Sequence, residues 1–229
     1  MPDGSRIETG RPPVKLGILI SGSGTNLQAI IDAIARGDLR ADICAVISNR
    51  AKARGLERAR NAGIATHVID NRKFASREDF DRAILAVLQP LSVELVICAG
   101  FMRLLSAVIL EAFPNRVLNT HNALLPSFPG IHGPREALEY GVKIAGCTVF
   151  FVTEGTDTGP VIIQAAVPVM PGDGEEALAE RIKAVEHRIL PQAVRLYQEG
   201  RLEVSGRKVV IQGAQQESAD ATLIVPPIR

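Results

Sequence analysis

Three polar side chains near predicted strand ends, Asn119, His121 and Asp157, have the chemistry needed at a reacting carbonyl group. Asn119 and His121 lie two positions apart at the end of the predicted strand "NRVLNTH", so their side chains leave the same face. The Asn amide can donate to a developing oxyanion, and the His, which titrates near neutrality, can protonate it or relay a proton. Asp157 lies in the loop "TEGTDTG", where a carboxylate that reaches the imidazole favours the imidazolium form. This polar trio predicts acyl or formyl transfer.

The same residues also fit a purely structural interpretation, which the sequence leaves open. An Asn-x-His pair at a strand end is often a capping and turn pair, and an Asp in a glycine-containing loop is often a turn residue. No Ser or Cys nucleophile stands in an elbow motif, so direct attack by the substrate's own amine is the simpler scheme. His67 and His187 are predicted to be structural, and His132 is a weaker candidate for the site. No His, Cys and carboxylate cluster has the ligand spacing of a metal centre.

A second candidate site is the glycine turn, residues 22–26, inside the stretch "ILISGSGTNLQAII". An apolar strand pattern ends in two glycines, and a helical pattern follows them. A dinucleotide fingerprint would need a third glycine where Leu27 stands, so a bound pyrophosphate is not predicted. The backbone N–H groups of Gly24, Thr25 and Asn26, at the helix N-terminus, predict a site for a single phosphate.

Two alternatives remain for the glycine turn. It is a plain strand-to-helix turn if the side chain of Asn26 or Thr25 caps the helix. It belongs to an NADP-binding reductase or sensor if Arg50, which follows the second predicted strand, takes a 2′-phosphate.

The elements that must position these residues alternate between strand and helix, which predicts a parallel sheet covered on both faces. In such sheets ligands bind beyond the carboxyl ends of the strands, where the polar trio and the glycine turn lie. A long helix pattern from Glu175 to Glu199 contains Pro191, which is predicted to kink the helix or split it in two. The end "RLEVSGRKVVIQG" predicts a hairpin that turns at Ser205 and Gly206. Further strand patterns lie at 43–48, 65–69, 94–100, 115–121, 145–152 and 161–169, and helix patterns at 54–61 and 76–89.

Length and composition favour one domain, because 229 residues that are 46% hydrophobic and 22% charged lie far from the composition of disordered chains. We expect an N-terminal extension at residues 1–14, a domain at residues 15–213 and a C-terminal tail at residues 214–229. The tail is polar and proline-flanked, and we expect it to be partly disordered.

Charge and apolar content exclude several classes of partner. The formal net charge of +1 gives no sign of nucleic acid or an anionic membrane. No run approaches the ~18 consecutive apolar residues of a membrane span, and the opening "MPDGSRIETGRPP" lacks the apolar core of a signal peptide. Cys44, Cys98 and Cys147 lie in apolar strand patterns, which predicts buried, reduced thiols. The sequence therefore predicts a cytoplasmic protein.

The motifs "LNTHNALLPSFPG" and "TEGTDTGPVIIQ" resemble those of the phosphoribosylglycinamide formyltransferases of purine synthesis. The resemblance runs from about Lys15 to Leu202 and includes, in order, "ISGSGTNLQAIIDA", "GLERARNAGI", "AGFMRLLS" and "EHRILP". It implies a single-domain, Rossmann-like α/β fold with a mainly parallel sheet and helices on both faces. It also implies transfer of a formyl group from 10-formyltetrahydrofolate to the amino group of glycinamide ribonucleotide, without a metal. The oligomeric state is left open, with a homodimer as one alternative.

The resemblance implies a role for each matching residue. The polar trio is the catalytic set, with His121 as proton donor, Asp157 setting its protonation state and Asn119 also contacting the folate. Glycinamide ribonucleotide is bound by Gly24, Thr25, Asn26 and Glu186. The folate is bound by Arg77 and by the folate segment, which we define as Met102, Arg103, Leu104 and Leu105.

Two other functions stay open at this point. A formyltetrahydrofolate deformylase uses a similar trio, but it is expected to carry an extra N-terminal regulatory domain, for which the residues before Lys15 leave no room. A catalytically idle binding protein is the other alternative. It is suggested by Asn122 and Ala123, where the family commonly has Pro-Ser, and by Phe150, where the family often has His.

Overall fold

The computed structural model describes residues 11–214. They form a nine-stranded sheet in the order β3-β2-β1-β4-β5-β6-β7-β9-β8, with helices packed on both faces. The predicted single-domain α/β class is confirmed. Most of the predicted N-terminal extension and nearly all of the predicted C-terminal tail lie outside the described residues, and the first strand begins at Val14, one residue before the predicted boundary.

The strands and helices follow the predicted alternation through the first half of the chain. The strands are β1 Val14–Ile20, β2 Ala41–Ser48, β3 Thr66–Val68, β4 Leu95–Cys98, β5 Val117–His121, β6 Ile144–Phe151, β7 Val161–Pro168, β8 Leu202–Ser205 and β9 Lys208–Ile211. The helices are α1 Thr25–Ala35, α2 Arg54–Asn61, α3 Arg77–Leu88, α4 Ala107–Ala112, α5 Gly133–Tyr140 and α6 Glu175–Gln198, with short 3₁₀ helices at Asn71–Lys73 and Gln89–Leu91.

Strands β1 to β5 form the parallel part of the sheet, and β6 and β7 continue it in antiparallel fashion. From β1 the chain moves outward to β2 and β3, and it then returns to the other side of β1 to form β4. The strand order therefore reverses between β1 and β4. The loops after these two strands lie side by side, which is where open α/β sheets bind ligands.

Each face of the sheet has its own apolar core, as the burial of alternate β1 residues shows. Leu16, Ile18 and Ile20 pack with α1, α2 and α6, whereas Leu19 packs with α3 and α4 on the opposite face. All four side chains are fully buried. Burial on both faces explains why these strands read as continuous apolar runs. It also holds the strand ends in fixed positions, so the loops that follow them start from a rigid frame.

Helix α6 is continuous through Pro191, so the predicted split into two helices is wrong, while the predicted kink stays a prediction. Proline removes one backbone hydrogen bond, which usually breaks a helix. Here Leu190, Ala193 and Val194 around it are fully buried in the core. Because tertiary packing supplies most of a helix's stability, this burial outweighs the lost bond. The predicted C-terminal hairpin is confirmed, but Ser205 still belongs to β8 and pairs with Lys208, so the turn lies at Gly206 and Arg207, one residue later than predicted.

The cysteines are free thiols within the sheet. Cys98 and Cys147 are buried, as predicted, and burial raises the pKa of both thiols to about 12. Cys44 is half-buried, so the prediction of burial is only partly confirmed for it. Within residues 11–214, no helix combines the length and the apolar character needed to cross a membrane.

A carboxylate network at the start of α6 gives a prediction for stability against pH. Asp173 accepts hydrogen bonds from both Nη atoms of Arg181, at 2.6 and 3.0 Å, and from the Met170 N–H at 2.7 Å. The Arg181 side chain and then the Met170 N–H lower the pKa of Asp173 below its ordinary value. A lowered native pKa contributes stability above the unfolded pKa, about 3.9, that disappears as pH falls through the native value.

We therefore expect Asp173→Asn to lower the free energy of unfolding at pH 7 and to make less difference as pH falls below about 4. Urea unfolding of both proteins across that pH range measures the difference. A difference that stays constant with pH would contradict the assignment.

Candidate active site

A cavity of 420 Å³ opens beyond the carboxyl ends of β4 and β5, beside the N-terminus of α1. It lies beside the reversal of strand order described above. The side chains of the polar trio all line it, although they come from two separate parts of the chain. The full lining is Asn26, Gly100, Phe101, Met102, Arg103, Leu104, Asn119, Thr120, His121, Asn122, Gly130, Ile131, Thr156, Asp157 and Glu186.

His121 and Asp157 face each other inside this cavity. His121 Nδ1 lies 3.6 Å from Asp157 Oδ2, and the two side chains are 5% and 11% exposed. His121 Nε2 lies 2.7 Å from the carbonyl oxygen of Phe128. Because a carbonyl only accepts, Nε2 must carry a hydrogen, and this leaves Nδ1 toward the carboxylate.

The loop of residues 122–132 holds both members of this pair. The Phe128 carbonyl accepts from His121, and the Gly130 N–H donates to Asp157 Oδ2 at 2.9 Å. Phe128 and Asp157 both have left-handed backbone conformations, with φ values of 53° and 54°. Such conformations are uncommon for residues other than glycine, and Asp tolerates them better than most. The loop therefore fixes the orientation of both side chains from behind.

Asn119 lines a second, smaller cavity that Asp157 also lines. In the antiparallel pair β5–β6, Asn119 is opposite Phe150, which is 1% exposed. Phe150 and Leu105 line a cavity of 40 Å³ together with Asn119 and Asp157. Phe150 therefore makes this part of the wall apolar.

The glycine turn leads into α1 without a side-chain cap. Gly24 is the N-cap, with φ 70°, and no side chain accepts a hydrogen bond from the first turn. The alternative in which Thr25 or Asn26 caps the helix is wrong, because both residues lie inside α1. Uncapped N–H groups and the helix dipole make this end of α1 suitable for an anion.

Helix α2 packs against the glycine turn and forms hydrogen bonds with it. A Cβ atom on Gly24 would lie 2.5 Å from the Cα of Gly55, so only glycine permits this close approach. The Gly55 N–H donates to the carbonyl of Gly22 at 3.0 Å, and Arg58 Nε donates to the carbonyl of Ser23 at 3.0 Å. Both bonds use carbonyl groups, so neither of them occupies an N–H group of the turn.

We expect Gly24→Ala to destabilise the chain and to weaken its affinity for a phosphate ester such as ribose 5-phosphate. The matched control is Gly37→Ala at the other end of α1, because Gly37 also has a positive φ of 79° but no atom within 4 Å of an added Cβ. The control carries only the left-handed backbone cost, about 1–2 kcal/mol. Thermal unfolding with and without ribose 5-phosphate measures both effects. Equal losses in the two variants would contradict a tight contact at Gly24.

Asn26 and Glu186 bring polar atoms to the cavity from α1 and α6. Asn26 is 8% exposed, and its Oδ1 is buried without a hydrogen-bond partner in the described part of the chain. Glu186 is 9% exposed, and its Oε1 accepts from Thr120 Oγ1 at 2.5 Å. A buried amide oxygen without a partner is costly, so a donor on a ligand is the natural partner for Asn26.

The folate segment lies in an irregular loop between β4 and α4, which begins only at Ala107. Met102 and Leu104 are 56% and 54% exposed at the cavity, which makes an apolar surface open to a ligand. Leu105 is buried behind them. Arg77 is exposed at the start of α3 and does not line the cavity.

The remaining histidines and Arg50 do not line this cavity. His67 lies on the edge strand β3, His132 precedes α5, and His187 lines a separate cavity of 270 Å³ beside α1. Arg50 is exposed after β2, outside the cavity lining. In residues 11–214 there is no group of three or more His, Cys, Asp or Glu side chains that could hold a metal ion.

Sequence reasoning missed the residues that hold the site together. These are Thr120, which donates to Glu186, the backbone groups of Phe128 and Gly130, and Ser21 between β1 and the glycine turn. Ser21 carried a signal that could have been used, since a small polar residue stands at the carboxyl end of an apolar strand. The backbone groups of Phe128 and Gly130 carried no such signal in the sequence.

Comparisons with known proteins agree with this geometry. The family model for formyl transferases matches residues 14–194. The phosphoribosylglycinamide formyltransferase of Escherichia coli (strain K12) is 46% identical over 187 residues, which cover 82% of this chain and 88% of that protein. The chain belongs to the phosphoribosylglycinamide formyltransferase family.

Solved structures in the phosphoribosylglycinamide formyltransferase family share the fold. Glycinamide ribonucleotide transformylase 1 from Symbiobacterium toebii is 55% identical with a TM-score of 0.86, and the match covers 87% of this chain and 94% of that one. A formyltetrahydrofolate deformylase from Pseudomonas syringae has a TM-score of 0.81 but only 26% identity, and the match covers 66% of its chain. The deformylase alternative is therefore less well supported.

Some members of this family are parts of longer chains. The trifunctional purine biosynthetic protein adenosine-3 of Gallus gallus is 46% identical over 199 residues, which cover 87% of this chain. The chain spans only 20% of that protein's length.

Proposed function

We propose that the chain transfers a formyl group from 10-formyltetrahydrofolate to the amino group of glycinamide ribonucleotide, in the de novo synthesis of purines. The observation that carries this proposal is that His121 and Asp157, 3.6 Å apart, share one cavity with the first three residues of the folate segment. The uncapped N-terminus of α1 lies beside the same cavity. A phosphate at that terminus and a folate on the apolar wall would flank His121, as a two-substrate transfer requires.

Glycinamide ribonucleotide would be held by its phosphate on the N–H groups of Gly24, Thr25 and Asn26. The buried Oδ1 of Asn26 would accept a hydrogen bond from the same substrate. Glu186 would lie near the substrate amine, because Thr120 occupies only one of its carboxylate oxygens and leaves the other to accept an N–H. The substrate would then lie between α1 and β5.

The folate would lie against the opposite wall. The apolar surface of Met102 and Leu104 fits a flat aromatic ring system, and Arg103 and the exposed Arg77 fit the carboxylates of its glutamate tail. Asn119 would contact the same molecule at the formyl group. When bound, 10-formyltetrahydrofolate supplies the activated formyl carbon.

The substrate amine would attack that carbon, so that a new N–C bond forms and the C–N10 bond breaks. Asn119 would donate its amide N–H to the oxyanion, and the formyl oxygen would replace the Phe128 carbonyl as acceptor for His121. Asp157 would stabilise the imidazolium form and assist proton removal from the attacking amine. The amine loses one proton and the folate nitrogen gains one, so the reaction needs no further reactant.

Following a ¹³C-labelled formyl group by NMR tests this proposal. We expect the label to appear in formylglycinamide ribonucleotide only when glycinamide ribonucleotide is present, with one tetrahydrofolate formed for each. Formate released at the same rate without that substrate would instead indicate a deformylase. Binding of both ligands without turnover would indicate an idle binding protein.

Ligand stabilisation separates the remaining alternative, since a ligand that binds only the native state raises the midpoint of thermal unfolding. We expect glycinamide ribonucleotide and a folate analogue to raise the midpoint, and NADPH to leave it unchanged. We further propose a cytoplasmic location, where purine precursors are made. The homodimer stays a prediction, which light scattering on the purified protein measures.

A further inference from the structure

Ser21 occupies the point at which the two proposed substrate sites meet. It follows β1 directly and precedes the glycine turn, where the strand order reverses toward β4. Its side chain is 2% exposed, so it does not line the cavity. None of the roles proposed above uses it.

Three hydrogen bonds tie Ser21 to neighbouring loops. Its N–H donates to the carbonyl of Gly100 at 3.1 Å, and its Oγ accepts from the N–H of Met102 at 2.9 Å. The Oγ–H donates to Asn49 Oδ1 at 2.7 Å, and Asn49 Nδ2 in turn donates to Asn71 Oδ1 at 3.0 Å. Because its proton is committed to Asn49, the hydroxyl can only accept from Met102. Its orientation is therefore fixed by two partners.

The other end of the folate segment has its own anchor. Asp81 is fully buried, and its Oδ2 accepts from both the N–H and the Oγ–H of Ser106, at 2.6 and 2.7 Å. Burial raises the pKa of Asp81. The folate segment is thus fixed at Met102 to Ser21 and, through the next residue, Ser106, to α3. Of the two anchoring residues, Asp81 and Ser21, only Ser21 lies in the loop that carries the glycine turn.

We propose that Ser21 is a positioning residue that sets the distance between the two substrates. Its hydroxyl joins the folate segment to the strand end from which the glycine turn departs, one residue away. This inference rests on the proposed function. Each substrate keeps its own contacts when the hydroxyl is lost, but their separation is no longer fixed. A misplacement of about 1 Å can lower a transfer rate by about 10²-fold.

The test is the kinetics of Ser21→Ala, measured with both substrates varied. We expect kcat to fall by about 10- to 100-fold while KM for each substrate changes little, which is the pattern of an interaction needed only in the transition state. If the alanine variant does not fold, Ser21→Cys replaces it, because a thiol keeps the shape but forms weaker hydrogen bonds. We expect its kcat to lie between those of the alanine variant and the unmodified chain.

Ser48→Ala is the matched control. Ser48 is also fully buried at the carboxyl end of a parallel strand, and its Oγ also has two partners, the carbonyl and N–H of Arg50, at 2.9 and 3.1 Å. It does not line the cavity. We expect a loss of thermal stability comparable with that of Ser21→Ala, with kcat unchanged.

The outcomes separate the inference from the proposed function. A Ser21→Ala kcat within twofold of the active, unmodified chain would overturn the inference alone, as would a parallel loss of kcat in Ser48→Ala. A rise in KM without a fall in kcat would also overturn it, since it would show a binding role. An unmodified chain that transfers no formyl group would overturn the proposed function, and the inference with it.

Discussion

Replacing His121 with alanine is expected to lower kcat by about 10²–10⁴-fold, the usual contribution of a positioned proton donor. The imidazole is 5% exposed, faces Asp157 and has one N–H directed at a backbone carbonyl that a substrate oxygen can replace. Without it, the oxyanion has only the amide of Asn119 as a donor. Steady-state formyl transfer, with circular dichroism to verify the fold, measures the loss.

His67→Ala is the control for this variant. His67 lies on β3, at the edge of the sheet, and does not line the cavity. We expect it to keep the kcat of the unmodified chain. A His121→Ala variant that also keeps that kcat would show that the proton comes from another group.

The second large effect is expected for Asp157→Asn, which should lower kcat by at least about 10²-fold. Asparagine can still accept from the Gly130 N–H, and it tolerates the left-handed backbone at this position, where φ is 54°. The substitution therefore removes the charge beside His121 Nδ1 and keeps the shape of the loop. The imidazole then loses the charged partner that would assist proton transfer.

The control for Asp157→Asn is Asp173→Asn. Both substitutions remove a carboxylate that faces a nitrogen base, but Asp173 pairs with Arg181 and does not line the cavity. We expect Asp173→Asn to lose stability and keep kcat. We expect Asp157→Asn to keep its stability and lose kcat. Equal kcat values in the two variants would contradict a catalytic role for Asp157.

The frame of the fold could be predicted because its signals are local. Leu16, Ile18 and Ile20 alternate with Leu19 between two cores, and such burial on both faces leaves a continuous apolar run. The start of α3 was also readable, since Ser76 accepts from the Asp79 N–H three residues later. The end of β5 could also be predicted from its local apolar pattern. Because Asn119 and His121 lie two positions apart at that end, their shared face could be predicted too.

The parts that could not be predicted depend on contacts between distant residues. Nothing in the sequence near Pro191 shows that buried neighbours will keep α6 continuous. The cap of α1 depends on close packing of Gly24 on Gly55, which a local pattern of capping residues cannot reveal.

The approach of Asp157 to His121 also depends on contacts between residues that are distant in the sequence. It depends on the 122–132 loop folding back to present one carbonyl and one N–H, and backbone groups leave no mark in a sequence. The two residues could be proposed as partners from their chemistry, but their separation could not be derived.

A crystal structure with glycinamide ribonucleotide and an inert 10-formylfolate analogue tests the central claim most directly. We expect the phosphate on the N–H groups of Gly24, Thr25 and Asn26, and the amine about 3–3.5 Å from the formyl carbon, with His121 directed at the formyl oxygen. A phosphate bound elsewhere, or an amine remote from His121 and Asp157, would contradict the account.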